Sequence, residues 1–278
     1  FMRYINRAFH FTETASISYT DVPKSAWYYE TVCIAQKYGY INGVGSGKMD
    51  PTGTVTREQA ATIIGRLYKA DPGSVSASSL DFKDKAKISS WSAGYIKAAV
   101  DKGFLAGYSD GTFQPTREVT RGEVAKIIYY YLGTSLSRAG KAYTGADLRG
   151  DTTNVTISES CTLSDATIAG DLFITEGLGT DAVALSNVTV EGMIIISGGT
   201  VTMTNTTSDH IIVSSSMGRL LQTTATGASR FSEAEVRTAA VLYEKVLTDG
   251  YDGFENVTVC GGNKVSLTVD ADLLKLTV

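Results

Sequence analysis

Cysteine and histidine are scarce in this chain of 278 residues, which contains three cysteines and two histidines. Cys33, Cys161 and Cys260 are too few and too scattered for a disulfide framework or a paired-cysteine metal site. We therefore expect inert thiols, buried or free, and no metal. A Cys161–Cys260 bridge is the alternative.

Long apolar runs are also missing. No stretch approaches the roughly 18 unbroken apolar residues of a membrane-spanning helix, so we expect no transmembrane segment. The first residues lack the apolar core of a signal peptide, and the last ones have the pattern of a strand. We expect an internal piece of a longer protein with two folded units, because 43% hydrophobic content over this length can bury two cores.

Signatures of common enzymes are absent as well, since no GxSxG, HExxH, P-loop or paired-cysteine motif occurs. With His10 and His210 as the only histidines, a hydrolytic triad has little support. We therefore predict no cofactor and no catalytic residue.

Charge is divided unevenly along the chain. Residues 1–134 carry 16 Lys and Arg against 12 Asp and Glu, whereas the remaining 144 residues carry 9 against 17. The excess of four positive charges in the first part favours an anionic partner but is far short of a nucleic-acid footprint. We therefore predict no nucleic-acid partner.

A repeat of 64 residues fills much of the first half. Between positions 27 and 67, 13 of 41 residues are identical to the residue 64 positions later. The identical pairs include Trp27/Trp91, Gly39/Gly103, Gly43/Gly107, Gly47/Gly111, Pro51/Pro115, Thr56/Thr120 and Arg57/Arg121.

Each copy of the repeat predicts a helix, a loop and a second helix. The first helix ends at Gly39 or Gly103, where glycine supplies a left-handed cap. The second opens with a capping box and buries residues spaced i, i+3, i+4 and i+7. The two boxes are Thr56-x-x-Gln59 and Thr120-x-x-Glu123. The same apolar spacing over residues 1–8 indicates the last helix of a truncated earlier copy.

The two copies resemble S-layer-homology motifs, which read F-x-D-V, W, G-x-x-x-G, D-G-T-F-x-P and T-R-A-E. The resemblance is carried by GYINGVGSGKMDPTGTVTREQA and GFLAGYSDGTFQPTREVTRGEV, each preceded by a tryptophan. It implies an all-α, pseudo-threefold helical domain whose inter-repeat grooves hold a pyruvylated secondary cell-wall polysaccharide of peptidoglycan. It also implies that Arg57, Arg121, Gly43 and Gly107 line those grooves.

The two arginines also stand out on physical grounds, because a cation in the first turn of a helix opposes the helix dipole. A guanidinium beside exposed helix amides forms a fork for a carboxylate, which a pyruvyl ketal presents. We therefore predict that Arg57 and Arg121 bind the glycan. A solvated or salt-bridged arginine is the alternative.

Two further pairs are candidates for glycan binding. Trp27 and Trp91 could stack on a sugar, although their helical spacing also suits core anchors. Asp21 and Asp84 precede a helix, so they cap it or contact the ligand.

Departures from the family pattern put one groove in doubt. Gln59 replaces the usual glutamate, Ser46 stands where Asp110 would, and the first T-R-x-E is absent. We expect at least one groove to be incomplete.

The second half consists of short apolar runs broken by Gly, Asn, Ser and Asp. Runs in 166–175, 188–197 and 206–215 recur about 20 residues apart, which predicts a parallel β-solenoid; a β-sandwich is the alternative. A capping box at Ser232-x-x-Glu235, followed by helical spacing up to Gly250, predicts one inserted helix. We expect asparagines at the coil corners.

The resulting division has five parts. They are the end of a truncated repeat (1–18), two repeats (19–73 and 80–134), a Gly/Ser/Ala-rich linker (135–145) and the solenoid (146–278).

The sequence thus predicts a non-enzymatic anchor of the bacterial cell wall or S-layer, outside the cell, with a β-rich region for display or assembly. Two alternatives stay open. One is a self-assembling S-layer or fibre component, which would form a homo-oligomer or array. The other is a β-helix polysaccharide lyase or hydrolase. Its candidate residues are Asp165, Asp171, Asp181, Glu191, Asp209 and His210.

Overall fold

The computed structural model describes residues 1–150, 153–250, 253–260, 266–271, 273 and 275–278. The chain divides into two compact units. One comprises residues 1–6 and 12–131 and is helical; the other comprises 7–11 and 132–278 and is built of strands. No helix among the described residues has the length and apolar character needed to cross a membrane.

The helical unit contains two helices from each predicted repeat and one from the segment before them. Short 3-10 turns at 77–79 and 85–87 are its other helical elements in the described part. The pseudo-threefold arrangement stays a prediction. The five helices are α1 (Met2–Ala8), α2 (Tyr29–Lys37), α3 (Arg57–Leu67), α4 (Ala93–Asp101) and α5 (Arg121–Leu132).

The predicted helix ends are confirmed. Gly39 and Gly103 follow α2 and α4 with φ of +70° and +71°, the left-handed conformation that glycine adopts without strain. Thr56 and Gln59 cap α3 reciprocally, with Thr56 N donating to Gln59 Oε1 at 2.9 Å. Thr120 N donates to Glu123 Oε2 at 2.8 Å in the same way.

The strand unit is a parallel β-solenoid of about six coils, as predicted. Its strands form two rows, joined by one long strand that belongs to both. The first row is β2 (Lys141–Thr144), β4 (Cys161–Ile168), β6 (Ala182–Ile196), β7 (Thr200–Thr204), β9 (Leu221–Gly227), β11 (Ala240–Leu247) and β13 (Leu267–Asp270). The second is β1 (Thr134–Leu136), β3 (Val155–Ile157), β5 (Leu172–Ile174), β6, β8 (Thr207–Val213), β10 (Arg230–Val236), β12 (Gly253–Val259) and β14 (Lys275–Thr277).

Apolar side chains in register form the inward ladders that the sequence predicted. Along the second row, one ladder is continuous over seven strands. Because each coil presents its apolar residue at the same level, every member except the two at the ends packs between two others. The ladder is Leu136, Ile157, Ile174, Ile196, Val213, Val236 and Val259.

The coil corners are left-handed. Asp165, Asn187, Asn205 and Gly227 all have φ between +49° and +62°. Asn187 Nδ2 donates to Asp165 Oδ1 at 2.8 Å, and Asn205 Nδ2 donates to Asn187 Oδ1 at 2.9 Å. Asparagine tolerates this conformation and bonds its neighbour, so the corner role predicted for it is confirmed at these positions.

The linker expected at 135–145 belongs instead to the solenoid. Strands β1 and β2 pair with β3 and β4, and Leu136 and Tyr143 are buried in the solenoid core. Small residues suggested a linker, but two apolar side chains are enough to join this segment to the coil above it.

The inserted helix predicted from Ser232 to Gly250 is wrong, because β10 and β11 occupy that segment. Val236, Ala240 and Leu242 point into the solenoid, in register with the coils on either side. Pairing on both edges overrides the local helical spacing. Glu235 bonds Arg237 and caps no helix.

We predict that Thr223→Val stabilises the solenoid. Thr223 is fully buried between Val201 and Leu242, and its hydroxyl has no hydrogen-bond partner among the described residues. Removing an unpaired buried hydroxyl at constant shape should raise the free energy of unfolding by about 1–2 kcal/mol. Urea unfolding followed by β-sheet circular dichroism measures the change.

Thr156→Val is the matched control, because Thr156 is equally buried but donates to the carbonyl of Leu132 at 2.8 Å. The free energy of unfolding of this variant should fall by about 1 kcal/mol. Equal effects of the two substitutions would contradict the prediction.

A candidate glycan-binding groove

The loop between the two helices of each repeat is held by an aspartate. Asp84 accepts from Phe113 N and Gln114 N, both at 2.8 Å, and Asp21 accepts from Met49 N and Asp50 N at 2.9 and 2.7 Å. The bond from Met49 is the main cause that lowers the pKa of Asp21. Both aspartates therefore shape the loop, where we had predicted that they cap a helix or contact the ligand.

The two loop glycines allow close packing. A Cβ on Gly43 would lie 2.6 Å from the carbonyl oxygen of Lys48, and one on Gly107 would lie 2.7 Å from the ring of Phe82. Gly43 also has φ of +70°. Both positions exclude a side chain for steric reasons alone.

Arg57 is buried, with 4% of its surface exposed. Its Nε donates to the carbonyl of Phe113 and its Nη2 to that of Ala106, both at 2.8 Å. The guanidinium lies 4.4 Å from the ring centre of Tyr108. The side chain thus binds the loop of the second repeat through two hydrogen bonds. We had predicted that it contacts the ligand.

Glu58 binds the same repeat just before its first helix. Its buried carboxylate accepts from Ser89 N at 3.1 Å and from the hydroxyls of Ser89 and Ser92 at 3.2 and 3.0 Å. Ser92 immediately precedes α4. Arg57 and Glu58 therefore fix the loop and the first helix of the following repeat together.

Backbone contacts complete this junction. Arg57 N donates to the carbonyl of Arg117 at 2.9 Å and Glu58 N to that of Pro115 at 3.0 Å. Thr56 and Glu118 form an isolated antiparallel bridge. The first amides of α3, which no helix carbonyl can satisfy, thus bond the second repeat.

Arg121 occupies the same motif position but has different surroundings. Its side chain is exposed, and its Nη2 donates to the hydroxyl of Tyr4 at 3.2 Å. Gly122 stands where the first repeat has Glu58. The motif therefore has two environments, one buried and one open to solvent.

A charged cluster lies next to buried Arg57. Glu123 Oε1 is 2.6 Å from Arg117 Nη1 and 3.8 Å from Arg57 Nη1, and it accepts from the hydroxyl of Tyr108 at 3.0 Å. Partial burial opposes ionisation, but hydrogen bonds from Thr120, Arg117 and Tyr108 lower the pKa of Glu123 to about 2. The carboxylate is thus stabilised in its charged form.

A cavity of about 500 Å³ opens between the first loop, α3 and the tryptophan of the second repeat. Gly43 and Trp91, two predicted site residues, line it; Arg57 and Arg121 do not. Residues that line it and that sequence reasoning missed include Asn42, Asp50, Thr54 and Arg66. No motif marked them, because they come together only when α3 packs against the loop.

Arg66 is held at the cavity wall by the loop. Its Nη1 donates to the carbonyl of Tyr40 at 3.5 Å. Its Nη2 donates to the side-chain oxygen of Asn42 at 3.1 Å when the Asn42 amide is oriented so that both of its polar atoms are hydrogen-bonded. No described carboxylate lies within 4 Å of it, so its charge is not neutralised by an ion pair.

Trp27 and Trp91 are exposed, at 78% and 52% of their surfaces. The helical spacing suggested core anchors, but both tryptophans precede the first residue of the helix, Tyr29 or Ala93. Helical periodicity therefore does not apply to them. An exposed indole at a cavity is suited to contact a ligand face.

The acidic candidates of the solenoid have different surroundings. Asp165 belongs to the corner ladder, and buried Asp171 accepts from Met193 N at 2.8 Å. His210 Nε2 is 3.9 Å from Glu235. Asp181, Glu191 and Asp209 are exposed. None of the three cysteines forms a disulfide in the described part of the chain, and no metal-binding group of three His, Cys, Asp or Glu occurs there.

We predict that Arg57→Ala destabilises the helical unit by about 3 kcal/mol, because the buried carbonyl of Phe113 loses its donor. Arg57→Lys should also destabilise it, since one ammonium cannot reach two separated carbonyls with the same geometry. The chain's two tryptophans both lie in this unit, so their fluorescence during urea unfolding reports on it.

Arg121→Ala is the matched control and should change stability by less than about 0.5 kcal/mol. Similar losses at both arginines would contradict the different roles given to them.

We predict a pH-dependent contribution from Glu123. Its pKa falls from an unfolded value of about 4.3 to about 2, so the stabilisation is complete above the unfolded value and is lost as the pH drops through the folded one. Glu123→Gln keeps a capping side chain, as Gln59 shows in α3. The variant should be less stable by about 1–2 kcal/mol at pH 7, with allowance for solvent screening.

The difference between wild type and Glu123→Gln should shrink between pH 4 and 2, measured by tryptophan fluorescence in urea. A difference that is constant over this range would show that the carboxylate is not the cause.

The family model for the S-layer homology domain matches residues 18–61 and 81–125. No solved structure matches the chain.

Three curated relatives illustrate the range. A cellulosome-anchoring protein of Acetivibrio thermocellus is 36% identical over 111 residues, 40% of this chain and 24% of that protein. A surface-layer 125 kDa protein of Lysinibacillus sphaericus is 33% identical over 90 residues, 32% of this chain and 7% of that protein. An endoglucanase of Bacillus sp. is 29% identical over 118 residues, 42% of this chain and 12% of that protein.

This chain therefore spans about a quarter or less of the length of these relatives. The enzymes among the relatives share only the S-layer homology region with it. The first half of the chain therefore contains two matches to the S-layer homology (SLH) domain, and the relatives that share this region point to a location outside the bacterial cell in association with its wall.

Proposed function

We propose that the protein is a non-enzymatic anchor that holds a β-solenoid at the bacterial cell wall. The first part would bind a pyruvylated secondary cell-wall polysaccharide non-covalently, in the cavity lined by Trp91 and Arg66. The observation that carries the proposal is this pairing of an exposed indole with a cation that has no carboxylate partner among the described residues.

The chemistry of the cavity suits an acidic sugar. Its volume of about 500 Å³ lies within the usual range of ligand sites. Trp91 offers an apolar ring face to a sugar, and Arg66 offers charge-assisted hydrogen bonds to a carboxylate. Asn42 and Thr54 add neutral hydrogen-bonding groups for hydroxyls.

The named relatives support anchoring as the role of the shared region. The cellulosome-anchoring protein, the surface-layer protein and the endoglucanase differ in their names but all align with this chain. A domain common to such different proteins is best explained by location at the cell surface, with the attached parts carrying other tasks.

The solenoid would serve display or assembly. Asp165 and Asp171, the two candidate acids whose contacts are described above, bond corners and backbone. Groups engaged in this way stabilise coils and are poorly placed to act as a general acid and base.

We predict that Trp91→Ala weakens binding to purified peptidoglycan sacculi by at least about tenfold, through loss of the ring face. Arg66→Lys should weaken it by a similar factor, because an ammonium cannot form the bidentate contact of a guanidinium with a carboxylate. Co-sedimentation with sacculi measures both.

Trp27→Ala is the matched control for the indole, because Trp27 is exposed but does not line the cavity. Its binding should remain near wild type. Sacculi stripped of their anionic glycan should retain none of the variants. Equal retention before and after stripping would contradict glycan anchoring, and equal loss at both tryptophans would contradict the cavity as the site.

A further inference from the structure

Asn42 differs from the other asparagines of the chain in the residue that follows it. It precedes Gly43, whereas each of the others precedes Arg, Lys, Thr or Val. The side-chain carbon of an asparagine can be attacked by the backbone nitrogen of the next residue, and this reaction makes asparagine thermolabile. Glycine leaves that nitrogen unhindered because it has no Cβ. Position 42 therefore has the sequence best suited to deamidation.

The structure leaves both reacting groups accessible. Asn42 is exposed, in the loop between α2 and α3. The amide of Gly43 donates to no acceptor in the described part of the chain. The attacking nitrogen is therefore not held in a hydrogen bond that the reaction would have to break.

Arg66 contacts the carbonyl that would be attacked. Its Nη2 donates to the side-chain oxygen of Asn42 at 3.1 Å, in the amide orientation that bonds both polar atoms. The guanidinium is fixed by its bond to the carbonyl of Tyr40 and lies 5.7 Å from the ring centre of Tyr95. When the nitrogen of Gly43 adds to the carbonyl carbon, negative charge develops on the oxygen that faces this cation. Arg66 therefore stabilises the addition step.

The second repeat lacks this arrangement. Ala106 and Tyr130 stand 64 positions after Asn42 and Arg66. Glycine is present in both loops, where close packing requires it, as described above. The amide and the cation beside it are thus specific to the first repeat.

We propose that Asn42-Gly43 is a site of spontaneous deamidation whose product neutralises Arg66. The nitrogen of Gly43 forms a bond to Cγ of Asn42, and the side-chain nitrogen leaves as ammonia, taking the proton of the Gly43 amide. Water then opens the resulting cyclic imide at either carbonyl, which gives aspartate or isoaspartate. Water is the only other reactant.

The product places a carboxylate where the neutral amide met Arg66. A guanidinium and a carboxylate at this separation form a charge-assisted pair. The cation at the cavity would then have an internal partner. The consequence for attachment rests on the proposed function: if Arg66 binds a carboxylate of the wall glycan, the deamidated protein binds that glycan less tightly, and attachment ends with time.

The chemistry is tested on the full chain, incubated at mildly alkaline pH and followed by released ammonia and peptide mass spectrometry. Position 42 should convert before Asn187 and Asn205, which are also exposed but precede Val and Thr. Arg66→Gln should slow the conversion severalfold, because it removes the cation that faces the oxyanion. An unchanged rate in this variant would overturn the assistance by Arg66.

The same chain unfolded in urea is the positive control for the chemistry. If it converts at position 42 while the folded chain forms neither aspartate nor isoaspartate there, the site is overturned.

The charge pairing is tested without any glycan. Asn42→Asp supplies the product carboxylate from the start, and a double-mutant cycle with Arg66→Gln measures its coupling to the guanidinium. Urea unfolding followed by tryptophan fluorescence should give a favourable coupling that disappears as the pH falls through the range where carboxylates are protonated. Zero coupling at neutral pH would overturn the neutralisation of Arg66.

Co-sedimentation with sacculi connects the site to attachment. Binding of the wild type should fall during incubation by about tenfold, the loss expected for one charge-assisted contact. Asn42→Ala, which copies the second repeat and cannot deamidate, should keep whatever binding it has at the start. Full retention of a completely converted wild type would overturn the link to attachment. Failure of the fresh wild type to bind would instead contradict glycan anchoring, while the ammonia release and the coupling would still decide the deamidation site.

Discussion

Arg57 and Glu58 are neighbours in sequence whose side chains bond two distant parts of the following repeat. The guanidinium fixes a loop through its carbonyls, and the carboxylate fixes the start of α4 through two serines. Both side chains are buried, so burying them is favourable only while the second repeat supplies their hydrogen-bond partners. The first half is therefore held together by hydrogen bonds from one repeat to the next. These bonds determine the positions of the loop, of α4 and of the cavity.

The solenoid meets the same constraint with different means. Its backbone groups bond the coil above and the coil below, and its apolar ladders fill the interior between them. In both units a single repeat cannot satisfy its own polar backbone. The two units differ in what links their repeats. In the helical unit it is a pair of charged side chains, and in the solenoid it is a continuous parallel ladder of strands.

Local patterns in the sequence predicted much of this. The capping boxes, the glycine helix ends, the 64-residue repeat and the coil period of about 20 residues all depend on neighbours in sequence. The role of Arg57 does not, because its carbonyl partners lie 49 and 56 residues away. The neighbouring repeat compensates the unfavourable position of this cation at the helix start, and the glycan contact expected of Arg57 stays a prediction. The helix predicted after Ser232 is wrong for a related reason, since strand pairing with adjacent coils outweighs the helical spacing of that segment.

The ladder of Leu136 to Val259 has a mechanical consequence. Hydrogen bonds between parallel strands run along the stacking direction, so a pull on the chain along that direction loads the bonds of one coil boundary at a time. A pull across the stack would instead shear all bonds of a boundary together. A surface protein under flow or tension would then yield coil by coil, lengthening in steps of one turn of chain while the remaining coils keep their packing.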